Sequence, residues 1–112
     1  MGRFATAGWS ECPAGGGGSR RLPAACRPVV IVTRASAVAV RNQVVVAQVT
    51  RTRHAVASEV ELTRKDGMPS DSVINCDVLL TVPKDRLLRP ITTLSATKLT
   101  EVARALRFAL DI

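Results

Sequence analysis

The chain has no tyrosine, one tryptophan and two phenylalanines among its 112 residues. A core built from it is therefore aliphatic. The same scarcity argues against recognition of nucleic acid by aromatic stacking platforms. Histidine occurs once, as His54. Cysteine is scarce, with Cys12, Cys26 and Cys76 giving an odd count and no C-x-x-C pair. That pattern predicts buried thiols in a reducing compartment and argues against a disulfide framework or a zinc site. No run approaches the roughly 18 apolar residues of a membrane helix. Arg3 is not followed by an apolar segment, so a signal peptide is not expected. A cytoplasmic protein is the expectation.

What is present is positive charge, unevenly placed. Sixteen Lys and Arg stand against nine Asp and Glu. Ten of the basic residues fall before position 66, opposed by Glu11, Glu59 and Glu61, whereas the remaining residues balance to zero. The whole net charge of +7 thus lies in the first part of the chain. Such a field suits an acidic or polyanionic partner. Its bland alternative is a solvated basic surface.

The hydrophobic pattern divides the chain into short pieces within one domain, 1–112. Ala5 to Cys12 contains Trp9 and is a candidate short strand. Gly15 to Ser19 with Arg20 and Arg21 reads as a mobile loop, without the G-K-[ST] ending of a phosphate loop. Val29–Thr33 and Val44–Thr50 are continuous β-branched runs, the mark of strands buried on both faces. Arg51-Thr52-Arg53-His54 is a basic loop. Val56 to Thr63 alternates, with Val56, Ser58, Val60 and Leu62 on one face. Lys65 to Pro69 is a turn by its Asp-Gly and Pro. Ser72 to Val82 is the longest strand candidate, with Ile74, Cys76, Val78, Leu80 and Val82 as one apolar face. Leu88 to Leu94 reads as an edge strand blunted by Pro90. Ser95 caps a final helix whose expected stripe is Leu99, Val102, Ala103, Leu106 and Leu110, with Leu94 and Leu99 placed for a hydrophobic staple. Short strands closed by one amphipathic helix predict a mainly β, α+β fold: a small curved barrel with a helix packed on it.

Arg27-Pro28-Val29-Val30-Ile31-Val32, Val46-Ala47-Gln48-Val49-Thr50, Ser58-Glu59-Val60-Glu61-Leu62, Asp71-Ser72-Val73-Ile74-Asn75-Cys76-Asp77 and Leu94-Ser95-Ala96-Thr97-Lys98-Leu99 follow one another in register. Together they resemble the MazF/PemK toxins of toxin–antitoxin systems. The resemblance runs from about residue 27 to residue 112. It implies an SH3-like barrel related to the gyrase poison CcdB, a homodimer, and an endoribonuclease cutting single-stranded RNA at short sequences without metal or other cofactor. It also implies an acidic, MazE-like antitoxin as partner. Arg27 matches the family's catalytic arginine and Thr50 its catalytic threonine.

The chemistry suits those residue types. Attack by a neighbouring 2′-hydroxyl passes through a phosphorane carrying extra negative charge. A guanidinium offers it a rigid fork of donors where charge develops. A threonine hydroxyl holds the phosphate or relays a proton. Thr33, Arg34, Arg51, Thr52, Arg53 and His54 are the expected RNA-binding residues, in a groove across the dimer interface and opposite the helix. His54 is also of the residue type most often used for general acid–base work. The chain departs from the family's common pattern before Arg27, where Ser19 to Cys26 contains no carboxylate in place of a Glu-Gln pair. It departs again at Val78 and Leu80, where a glutamine and an arginine are common. These departures keep two rivals in view: a non-enzymatic, CcdB-like topoisomerase poison, and a degenerate toxin that only binds antitoxin.

Overall fold

The computed structural model describes residues 7–12 and 26–112. The glycine-rich segment Gly15–Ser19 and Arg20-Arg21 lie outside the described residues. Six strands form one antiparallel sheet: β1 (Ala7–Glu11), β2 (Arg27–Ile31), β3 (Gln43–Thr50), β4 (Glu59–Leu62), β5 (Ser72–Pro83) and β6 (Leu87–Thr93). A one-turn helix, α1 (Ala35–Val38), joins β2 to β3, and α2 (Ala96–Leu110) closes the chain. The strand order is β4-β5-β3-β2-β1-β6.

The continuous apolar runs became central strands because both faces of the sheet are covered. Val29, Val30 and Ile31 of β2 are all fully buried. Val30 joins Ala47, Val49, Ile74 and Cys76 in a core capped by Val102 and Ala105 of α2. Val29 and Ile31 join Trp9, Val44, Val46 and Val82 in a second core on the other face. Each such side chain contributes about 1.5–3 kcal/mol by leaving water. Pro28 is tolerated in this interior strand because it opposes Ser10 near the end of β2, before pairing with β3 begins at Val29.

The long strand departs from simple alternation. The β3–β5 ladder shifts between Ala47 and Gln48, whose partners are Leu79 and Asn75. Extra residues on β5 bend it there, as a bulge does. The expected single face therefore splits: Ile74 and Cys76 enter the α2-side core, and Val82 enters the other. Val56 is likewise exposed, because β4 starts only at Glu59.

The sheet is not closed. Its edges, β4 and β6, share no ladder. β4 is four residues long, and a 3-10 turn at Arg64–Asp66 follows it. Instead of a ladder, Thr92 Oγ1 donates to the Asp66 carbonyl at 2.7 Å. Beside it Gly67 has φ +94°, and a Cβ there would collide with Thr92 Oγ1. The barrel expectation thus gives way to a bent open sheet pinned across its gap.

Helix α2 starts where expected, with Ser95 Oγ accepting the Lys98 N–H at 3.2 Å. Its buried face is rotated from the expected stripe. Val102 and Ala105 are buried, whereas Leu99 and Leu110 are exposed. Packing on β4 and β5 selected this face, and small Ala105 permits the close approach.

The cysteine expectation is corrected. Cys12 and Cys26 form a disulfide. Glu11 opposes Arg27 in the β1–β2 ladder, so the next rung brings Cys12 opposite Cys26, with Cα atoms 4.2 Å apart. A sequence separation of 14 does not reveal a register. Only Cys76 follows the expectation of a buried thiol. Burial first, and the Asp77 charge second, push it up to about 11.

Candidate active site

A cavity of about 560 Å³ opens where β1, β2, β3 and β6 meet the segment leading into β5. Arg27 and Thr50 both line it. Their meeting follows from strand pairing. Val29 opposes Gln48, and the same register continued outward sets Arg27 opposite Thr50. Val49, Met68 and Ile91 provide an apolar floor. That floor belongs to the core capped by α2, whereas strand alternation sets Arg27 and Thr50 on the same face as Val29 and Val46 of the other core.

Arg27 Nε donates to Glu11 Oε1 at 2.8 Å. The Glu11 side chain is 4% exposed and that of Arg27 is 49% exposed. Arg86 brings Nη1 to 3.7 Å from the other Glu11 oxygen. A carboxylate this buried requires compensating charge, and the two arginines supply it. Among the described residues, none bonds the terminal nitrogens of Arg27. The guanidinium is thus held at Nε, with its remaining donors available to an anion.

Glu11 was missed by sequence reading, which sought an acid in the segment just before Arg27. It comes instead from β1, 16 residues earlier. The available signal was an acid in a candidate strand next to a cysteine, and only pairing with β2 gives it meaning.

Thr50 is half-buried, and its Oγ1 accepts the Thr52 N–H at 3.1 Å. A hydroxyl has two acceptor positions and one proton. The turn therefore orients Oγ1 and leaves its proton to donate. This is also the observed role of Thr52.

The basic loop is brought only partly to the cavity. Arg51 lines it and has no partner among the described residues. Arg53 Nη1 pairs with Glu61 Oε2 at 2.7 Å, both side chains being about half exposed. Such a pair contributes below about 1 kcal/mol. His54 Nδ1 lies 3.1 Å from Glu59 Oε2. The His54 and Ala55 N–H groups also donate to that carboxylate, at 2.9 and 3.0 Å to Oε1. Ala55 takes φ 56°, a left-handed conformation costly for a residue with a Cβ. Glu59 is thus the clasp of the loop. Burial raises its pKa, but the donors from His54 and Ala55 outweigh that, leaving it below the ordinary 4.5.

Thr33 and Arg34 are not brought to the cavity. They follow the far end of β2, where Thr33 Oγ1 accepts the Val45 N–H at 2.7 Å and Arg34 precedes α1. A further cation missed by sequence reading, Arg89 on edge strand β6, lines the cavity instead and is unpaired among the described residues.

The family model of PemK-like, MazF-like toxins of type II toxin–antitoxin systems matches residues 15–110. The chain is 41% identical over 86 residues to the probable endoribonuclease MazF2 of Mycobacterium tuberculosis, covering 76% of this chain and 84% of that protein. It is 35% identical to endoribonuclease MazF3 of the same organism, with 77% and 84% covered. The solved structure of the Mycobacterium tuberculosis toxin MazF-mt6 superposes with a TM-score of 0.79 at 28% identity, over 95% of this chain and 97% of that one. An endoribonuclease in complex with its cognate antitoxin from a mycobacterial species shares the fold, with a TM-score of 0.78 at 21% identity over 96% and 95% of the two chains. The chain belongs to the PemK/MazF family of type II toxin–antitoxin toxins.

Proposed function

We propose that this endoribonuclease toxin cuts single-stranded RNA in the cavity shared by Arg27 and Thr50. The observation that carries the proposal is the arginine anchored at Nε by buried Glu11 while its other donors, among the described residues, stay unengaged beside Thr50. The scissile phosphate sits between these two residues. The neighbouring 2′-hydroxyl attacks phosphorus, and Arg27 stabilises the phosphorane oxygens, where fixed donors have most effect. Thr50 holds a phosphate oxygen by a hydrogen bond from its hydroxyl. The 2′-hydroxyl proton passes by way of a phosphorane oxygen to the 5′-oxygen as the P–O5′ bond breaks, giving a 2′,3′-cyclic phosphate and a 5′-hydroxyl, with no metal ion in the cycle.

Arg51 and Arg89 hold neighbouring phosphates, and Thr52, Arg53 and His54 form the outer wall on the clasped loop. Thr33 and Arg34 are left out of this set, because they follow the other end of β2. The bent sheet is read as an SH3-like barrel left open at one seam. Two copies of the chain form the working unit, and a MazE-like antitoxin lays an acidic segment over Arg27, Arg51 and Arg89, ordering as it binds. The site of action is the cytoplasm, where the RNA is.

Family membership disfavours a topoisomerase poison. The degenerate-toxin reading rested on a missing acid, and Glu11 now stands beside Arg27. The test is incubation of the purified chain with a single-stranded RNA library in EDTA. Cleavage abolished by Arg27→Ala is expected; uncut RNA, or cleavage indifferent to that substitution, refutes the proposal.

A further inference from the structure

The Cys12–Cys26 disulfide occupies the rung directly beyond the Glu11–Arg27 pair. Both cysteines are half-buried and line the cavity that holds Arg27 and Thr50. Cys12 N–H donates to the Arg86 carbonyl at 3.0 Å, and Arg86 also faces Glu11. The bond therefore fixes the strand ends from which Glu11 grips Arg27. Disulfides in a compartment that keeps thiols reduced are typically transient, catalytic or redox-sensing rather than structural.

Resting on the assignment of Arg27 above, we propose that Cys12–Cys26 is a thiol–disulfide exchange site through which a dithiol reductant sets the rate of RNA cleavage. One thiolate of the reductant attacks a cysteine sulfur. The S–S bond breaks, and the other cysteine leaves as a thiolate that takes up a proton. The reductant's second thiol then displaces the mixed disulfide. The chain gains two electrons and two protons as two thiols, and the reductant ends as its own disulfide.

The oxidised form is the aligned one. Without the bond, the ends of β1 and β2 are held only by the last ladder rungs and the ion pair, and strand ends open locally at small cost. Catalysis is sensitive to such loosening, since a displacement of about 1 Å can cost about 10²-fold. Cys76 is buried in the core and offers no competing thiol at the cavity.

The experiment equilibrates the purified chain in buffers of reduced and oxidised dithiothreitol, counts free thiols by alkylation and mass, and measures RNA cleavage in EDTA. Circular dichroism at the assay temperature checks that both forms are folded. Reduction is expected to expose two thiols and lower kcat about tenfold, with KM changed less than about twofold. The Cys12→Ser/Cys26→Ser variant should cut at the reduced rate and ignore the buffer. In Arg27→Lys the oxidised-to-reduced rate ratio should fall to about one, because the two changes act through the same side chain. Equal kcat in forms shown to be fully oxidised and fully reduced overturns the proposal, as does a rate ratio that persists in Arg27→Lys. Arg27→Lys cutting at the wild-type rate while oxidised would instead refute the assignment of Arg27. If the serine variant does not fold, the wild-type comparison and the Arg27→Lys ratio still decide.

Discussion

At the residue scale, the site depends on two carboxylates that each organise cationic or main-chain donors. Glu11 holds Arg27, and Glu59 holds the loop after Thr50. Glu11→Gln keeps size but removes the charge that compensates Arg27 and Arg86. Because Arg27 is half exposed, solvent screens part of the loss, and destabilisation should be about 1–2 kcal/mol. Cleavage should fall about tenfold or more through kcat rather than KM; thermal melts and cleavage kinetics on the same preparation check both. The Glu59 clasp has a defined pH sense. Its carboxyl is depressed below 4.5, so its contribution is fully present above that value and is lost as pH falls through the lowered one. Protection of the His54 and Ala55 amides, taken relative to their intrinsic exchange rates at each pH, should therefore fall only below about pH 4.5, and Glu59→Gln should remove most of that acid-dependent step.

At the element scale, the bent sheet is held by contacts that no strand supplies alone. Gly67 is required both by its positive φ and by the Thr92 side chain, which fills the place a Cβ would take. Gly67→Ala should cost about 1–3 kcal/mol, read from the urea midpoint, by straining the turn and dislodging the bond from Thr92 to Asp66. On α2 the observed face predicts that Val102→Ala costs about 1–2.5 kcal/mol while Leu99→Ala costs well under 1. The periodic stripe alone predicts similar costs for both. Cap, start and type of this helix were readable locally, because Ser95 and its spacing act within one turn. Which residues face the sheet was not, because packing against β4 and β5 chose among several adjacent aliphatic positions. Likewise the buried β2 and β3 showed as continuous Val/Ile runs, whereas the β5 bulge hid inside an apparently regular alternation.

At the scale of the whole molecule, three cations far apart in the chain, Arg27, Arg51 and Arg89, converge on one cavity. If these engage three phosphates, the affinity for an uncleavable 2′-O-methyl RNA should fall with salt at a log–log slope of about −2. Arg89→Ala should reduce that slope by about 0.7, uniformly across sequences. Titration by fluorescence anisotropy at several salt concentrations checks this. A slope unchanged by Arg89→Ala would remove that residue from the RNA path.

The amino-acid order was enough to specify which segments are buried strands, where the last helix begins, and that Arg27 and Thr50 stand at the ends of two such strands. These are properties of short windows, in which side-chain branching, periodicity and capping act on neighbours. Tertiary structure decided who meets whom. It set Cys12 against Cys26, brought Glu11 to Arg27 and Arg89 to the cavity, and left Thr33 and Arg34 behind. Cross-strand register joins residues far apart in the chain, and a shift of one position would change every such partner.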